Sequence, residues 1–249
     1  MEVLLYTILA LTAASVGSVA LSGSLLLLNN KWLGKISGYL LYFAGGTLLG
    51  SALLGLIPEA TETIGLEHVV EWVLIGILFF FVLEKIILWR TCHNNDSERQ
   101  NHAAAPMIII GDAFHNAIDG VVIAASFLSS VELGIFVTIS VVLHEIPQEL
   151  GDFGILIKSG YSRKKALLYN LLSGSSSLVA GISAYFLLDV VQNYIPYVIA
   201  IAASSFLYVS MADLIPEMHK ETKPKESAIQ IIMILTGVLI IMFSAHHAH

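Results

Sequence analysis

The chain has 249 residues, 56% of them hydrophobic and 12% charged, with a mean hydropathy of +0.80, whereas a soluble domain carries about 25% Asp, Glu, Lys and Arg. That composition excludes a soluble enzyme and leaves no stretch for a soluble domain. A net charge of −7, from 12 basic and 19 acidic residues, argues against nucleic acid as a partner, and a single cysteine excludes a disulfide within the chain.

Apolar runs of about 20 residues, enough to cross roughly 30 Å of hydrocarbon as a helix, occur at about 3–28, 36–57, 72–89, 106–131, 133–157, 166–188, 194–215 and 227–245. The chain is therefore expected to be an all-α integral membrane protein of eight transmembrane helices, one domain over residues 1–249 with the lipid bilayer as its surroundings. The first run follows Met1-Glu2-Val3 with no basic leader and exceeds the ~7–15 residues of a signal-peptide core, so it is expected to be an uncleaved span. Spans one, two, six and eight hold no charged residue, and span three holds only the adjacent pair Glu84 and Lys85 near its basic end. A lysine stem reaches the headgroups from that depth. Residues 90–105, RTCHNNDSERQNHAAA, read as a polar connector between spans three and four.

The loops differ in charge. Lys31 and Lys35 follow span one, Arg90 and Arg99 span three, Lys158, Arg163, Lys164 and Lys165 span five, and Lys220, Lys223 and Lys225 span seven. Eleven of the 12 basic residues thus fall on one side, while Glu2, Glu59, Glu62, Glu67, Glu71, Glu132 and Asp189 fall on the other. The positive-inside rule makes both termini extracytoplasmic and residues 90–105 cytoplasmic. The acidic outer loops either gather cations or simply solubilise the protein.

Span two ends in Leu56-Ile57-Pro58-Glu59 and span seven in Leu214-Ile215-Pro216-Glu217. Because those spans run in opposite directions, the copies are expected at opposite faces, as in an inverted repeat. That architecture recurs in transporters, with the substrate site near the midplane.

Spans four and five carry ionisable residues in their middles, where an unpaired charge costs several kcal/mol. At about 100° per residue, Asp112, His115, Asn116 and Asp119 share an arc of roughly 100° on span four. On span five His144, Glu145, Gln148, Glu149 and Asp152 share a sector of roughly 140°, and Pro147 is expected to kink the helix beside them. If the stripes face each other, a divalent cation resolves the repulsion between their carboxylates. Imidazole nitrogen with carboxylate oxygen and no thiolate suits Zn²⁺, Fe²⁺ or Mn²⁺.

At these residues the sequence resembles a known family. His115-Asn116-Ala-Ile-Asp119-Gly120 and His144-Glu145-Ile146-Pro147-Gln148-Glu149 are similar to the paired signatures of the ZIP divalent metal transporters. The resemblance implies uptake of Zn²⁺ or a related ion as transported substrate, without an organic cofactor, through a binuclear site at the plasma (inner) membrane. It places His115, Asp119, His144 and Gln148 around one ion and Asn116, Asp119, Glu145 and Gln148 around its neighbour. Glu149, also a candidate ligand, joins Asp112 and Asp152 as neighbouring pathway residues. It also suggests homodimers and alternating access. Two positions depart from the pattern: relatives often carry His or Glu at Gln148, and some carry a bridging Glu at the position of Ser177. Both changes remove negative charge from the second position. Cys92, His93 and His102 in the connector are few for the histidine-rich sensor of many relatives, and His246, His247 and His249 form either a metal-catching or merely a polar end.

Two other functions compete with this reading. An intramembrane zinc protease would place a second histidine where Gln148 stands in His144-Glu145-Ile146-Pro147-Gln148. A proton-driven carrier of another solute would use the carboxylates but leaves the convergence of His, Asn and Gln with them unexplained.

Overall fold

In the computed structural model, residues 2–27, 30–91 and 97–246 are described, and they are almost entirely helical. Seven helices are long and apolar enough to cross a bilayer: Glu2–Leu25 (span one), Lys35–Ile64 (two), Leu66–Ile86 (three), Val131–Ile157 (five), Arg163–Val190 (six), Gln192–Met218 (seven) and Pro224–Phe243 (eight). The eighth, span four, is Ser97–Ser129, whose 33 residues give about 50 Å of helix. Spans two and three extend well beyond the apolar cores read from the sequence, and only Gly65, at φ +80°, separates them. That backbone conformation favours a residue without a Cβ. Ser130 and Ser162 start spans five and six by accepting the N–H groups of Leu133 (3.1 Å) and Lys165 (3.4 Å).

The connector between spans three and four is shorter than its polarity suggests, because helix continues to Thr91 and resumes at Ser97. Cys92, His93, the side chain of His102 and the terminal histidines 246, 247 and 249 lie outside the residues or side chains described. Lys85 lies near the end of span three, its ammonium 5.6 Å from the centre of the Phe81 ring, and Glu84 accepts a hydrogen bond from Tyr208 of span seven.

Span two packs on span eight and span seven on span three. Exchanging two with seven and three with eight turns each contact into the other, as a repeat relating these pairs requires. The local structure agrees. A six-residue π-helical stretch, Ser51–Leu56 or Val209–Leu214, precedes each Ile-Pro-Glu, and each proline begins the following α-helix. Pro58 and Pro216 cannot donate to the carbonyls four residues earlier, and the wider turn makes room for the ring. Spans separated by an odd number of crossings run antiparallel, so the two π turns are inverted copies.

In their most apolar stretches, spans three and eight have only 17% of residues buried inside the protein, against 56% for spans two and five, so the former lie at the periphery of the bundle. Spans four and five lie at the centre, against six and two respectively and against each other. Span four meets span six backbone to backbone: a Cβ on Gly120 would sit 2.1 Å from the main-chain oxygen of Ser177. The hydrophobic core, including Leu48, Val122, Ile123, Val137, Val141 and Phe206, fills the half of the bundle nearest the connection between spans four and five. Pro147 does not break span five, which continues as α-helix from Val131 to Lys158.

Candidate metal centre

Regular helix through Ser97–Ser129 and Val131–Lys158 turns the two polar stripes into facing arrays. His115 and Asp119 come one turn apart from span four, and His144 and Glu145 come from consecutive positions of span five; one ligand atom from each lies within 4.8 Å of the others. Asp119, His144 and Glu145 are buried at 1%, 3% and 1% exposure, while the His115 side chain is 18% exposed.

The spacing of the donor atoms is informative. His115 Nε2 lies 3.3 Å from His144 Nε2, 3.7 Å from Asp119 Oδ2 and 3.6 Å from Glu145 Oε1. His144 Nε2 lies 2.9 Å from Asp119 Oδ2 and 3.6 Å from Glu145 Oε1. Four ligand atoms at ~2.0–2.1 Å from a tetrahedral Zn²⁺ would stand about 3.3–3.4 Å apart. The five distances bracket that value.

Among these atoms the two imidazoles make a hydrogen-bond contact with each other, and the carboxylate oxygens make none. His144 Nδ1 is 3.0 Å from the carbonyl oxygen of Ser140. A carbonyl only accepts, so in the neutral ring Nδ1 carries the proton and Nε2 turns its lone pair towards the carboxylates. A backbone carbonyl holding the far nitrogen is the usual support of a metal-ligating histidine. Phe206 packs its ring across His144 at 5.8 Å and 71°. Both carboxylate oxygens of Asp119 and of Glu145 are buried without a hydrogen-bond partner among the described residues. Lone pairs converging in a water-poor interior repel unless protons or a metal cation lie between them.

A second group lies beside the first: ligand atoms of Asp112, Glu145 and Glu149 also fall within 4.8 Å of one another. The amides stand differently. Asn116 donates to Asp112 at both Oδ1 (3.0 Å) and the main-chain oxygen (3.1 Å), and Gln148 donates to the same Oδ1 at 3.1 Å. Asn170 of span six donates to the main-chain oxygen of Glu149 at 3.3 Å. Ser177 is buried with its hydroxyl donating to Gly174 at 3.0 Å.

A cavity of about 590 Å³ begins at the imidazoles and is bordered by Asp112, His115, His144, Pro147, Gln148 and Asp152. Its further lining, Leu41, Ile155 and Leu214, places it towards the end where spans one–two, three–four, five–six and seven–eight connect. The opposite end is closed by the hydrophobic core. The structure thus brings together every ionisable residue singled out from the two stripes. Sequence reasoning missed Ser140, whose carbonyl orients His144, and Asn170, although an asparagine within a charge-free span was a readable signal.

A bundle of membrane-spanning helices, with two imidazoles and two carboxylates gathered at its centre, defines a polytopic membrane protein with a group of side chains that could hold a cation. Comparison with known proteins narrows this. The family model described as "ZIP Zinc transporter" matches residues 1–106 and 91–245. The chain is 30% identical over 224 residues to "Zinc transporter ZIP13" of Pongo abelii, covering 82% of this chain and 66% of that protein. It is 29% identical over 280 residues to "Zinc transporter zipt-7.2" of Caenorhabditis elegans, covering 87% and 60%, and 40% identical over 147 residues to "Zinc transporter foi" of Drosophila melanogaster, covering 57% and 20%. The chain belongs to the ZIP zinc transporter family. These matches span between 20% and 66% of the length of the three relatives.

Proposed function

We propose that the protein carries divalent metal ions, Zn²⁺ foremost, across the membrane into the cytoplasm, with His115, Asp119, His144 and Glu145 holding the ion in transit. The observation that carries this reading is the set of ligand atoms 2.9–3.7 Å apart, from two imidazoles and two carboxylates whose oxygens lack a hydrogen-bond partner among the described residues. Two histidines and two carboxylates suit Zn²⁺ and leave Fe²⁺ and Mn²⁺ as further cargo.

The orientation we infer follows from charge. Every basic residue assigned to a loop lies at the end where the cavity is, and the positive-inside rule makes that end cytoplasmic and both termini extracytoplasmic. The site then faces the cytoplasm in this conformation, with the core closing its outer side. Alternating access requires a second conformation in which that closure passes to the inner side, and an inverted repeat lets the same helices pack either way. The plasma membrane fits uptake into the cell, and the acidic outer loops would raise the local cation concentration.

A proteolytic role is disfavoured by the source of the second imidazole. It comes from span four rather than from the position of Gln148, so no single helix offers a His-Glu-x-x-His pair.

The test is zinc entry into liposomes containing the purified protein and a zinc-sensing dye. His144→Ala and Asp119→Ala are expected to reduce uptake to the rate of protein-free vesicles, while both variants elute as the wild type does. Uptake at the wild-type rate in both would remove this assignment.

A further inference from the structure

Where span five turns into span six, a cavity of about 440 Å³ is bordered by Ser159, Gly160, Tyr161, Ser162 and Lys165. It shares no lining residue with the cavity at the imidazoles. Span five closes on a turn in which the N–H of Gly160 donates to Ile157 at 3.0 Å and that of Tyr161 to Leu156 at 3.1 Å, with Gly160 at φ +87°. These bonds occupy carbonyls of its last turn. The N–H groups of Arg163 and Lys164, which open span six, have no acceptor within the helix.

An exposed helix N-terminus attracts an anion only weakly by itself. Ser159 adds to it: the residue is 7% exposed, borders the cavity, and its hydroxyl has no hydrogen-bond partner among the described residues. A buried hydroxyl left unpaired costs free energy that a group entering the cavity would recover by accepting from it. The charge is one-sided as well. Residues 158–165 hold four basic side chains and no acidic one, and Arg163, Lys164 and Lys165 form no ion pair among the described residues. Lys220 and Lys223, in the next loop on that side, pair instead with Glu217 and Glu221. An anion with several oxygens satisfies the hydroxyl, the N–H groups and Lys165 together, and phosphate has that chemistry.

The surroundings indicate where the phosphate comes from. Tyr161 and Tyr169 meet edge to face at 5.4 Å, and Leu167, Leu168 and Leu172 are exposed just beyond them on span six. Tyrosines at the end of an apolar helix surface mark headgroup depth, and the basic loops assign that level to the cytoplasmic leaflet, where anionic lipids lie. We infer that this cavity seats the phosphate headgroup of an anionic phospholipid, held by Ser159, Lys165 and the first N–H groups of span six. The leaflet, though not the site, rests on the orientation inferred from charge. A lipid seated there ties the end of span five, the helix of His144 and Glu145, to the membrane surface.

The test titrates the full chain in detergent with short-chain phosphatidic acid and counts bound lipid by native mass spectrometry. One phosphatidic acid per chain is expected at concentrations where phosphatidylcholine does not bind. Lys165→Ala, at an exposed position, is expected to weaken it about fivefold, the contribution of one lysine beside an anionic headgroup. Ser159→Ala is expected to weaken it roughly threefold, through one lost hydrogen bond. A variant combining Lys220→Ala, Lys223→Ala and Lys225→Ala removes more charge from the same face and is expected to bind as wild type does. Equal weakening in that variant, or wild-type affinity in both Ser159→Ala and Lys165→Ala, would reduce the binding to diffuse attraction and overturn the site. Displacement of the lipid by an equimolar amount of inorganic phosphate would assign the cavity to a soluble anion and overturn the lipid as its occupant.

Discussion

At the scale of single residues, function and stability pull in opposite directions. Asp119 and Glu145 hold carboxylate oxygens in the bundle with no donor to satisfy them, and a buried uncompensated charge costs several kcal/mol. Zn²⁺ should therefore raise the melting temperature of the protein in detergent, by an amount corresponding to about 2.7 kcal/mol at a concentration a hundredfold above the dissociation constant. Glu145→Gln keeps the shape and removes one charge. It is expected to melt a few degrees above wild type without metal and to lose most of the zinc-induced rise. A variant that melts below wild type without metal, yet responds fully to zinc, would show that this carboxylate is not strained in the free protein. Much of this site was legible in the sequence, because residues one turn apart on a helix must share a face. The orientation of His144 was not, since the Ser140 carbonyl that holds it is a main-chain atom present at every position. Nor was the clamp on Asp112, which depends on how two amide side chains, Asn116 and Gln148, turn.

At the scale of helices, the geometry of the candidate metal centre depends on how closely span six approaches span four. Gly120 lies one residue beyond Asp119, and a Cβ there would stand 2.1 Å from a main-chain oxygen of span six, an atom that cannot swing aside. Gly120→Val is expected to lower stability by about 1–3 kcal/mol or more through overpacking, and to weaken zinc binding by tilting Asp119. Gly154→Ala in span five meets nothing within 4 Å. It is expected to be neutral or to stabilise by roughly 0.5–1 kcal/mol, as alanine does over glycine inside a helix. Thermal midpoints of the two variants beside wild type check the pair, and equal losses would mean that glycine content rather than close approach governs the contact. The glycine in His-Asn-x-x-Asp-Gly announces a tight contact in the sequence, but its partner, the backbone at Ser177, lies more than fifty residues away. Helix ends were less legible. Apolar runs mark the membrane core, whereas the helices of spans two, three and four continue into polar residues that hydropathy alone assigns to loops.

At the scale of the whole molecule, orientation decides which side of the membrane the cavity opens to in this conformation. The eight spans could be counted from the sequence, and the exchange of packing partners between spans two and seven and between three and eight gives the repeated Leu-Ile-Pro-Glu a physical setting. Which face lies outside rests on charge alone. Because the chain contains a single cysteine, Cys92, a Cys92→Ser background lets introduced thiols report accessibility. Glu67→Cys, in the first turn of span three, is expected to react with a membrane-impermeant maleimide added to intact cells. Lys223→Cys, just before span eight, is expected to react only after the membrane is opened. Ile155 lines the cavity on the same side as Lys223, so Ile155→Cys should also react only from the cytoplasmic face, and more slowly when zinc fills the neighbouring site. Labelling of Lys223→Cys from outside, with Glu67→Cys protected, would invert the orientation. The same donor cage would then face the extracytoplasmic side in this conformation, and the acidic loops would gather cations from the cytoplasm instead.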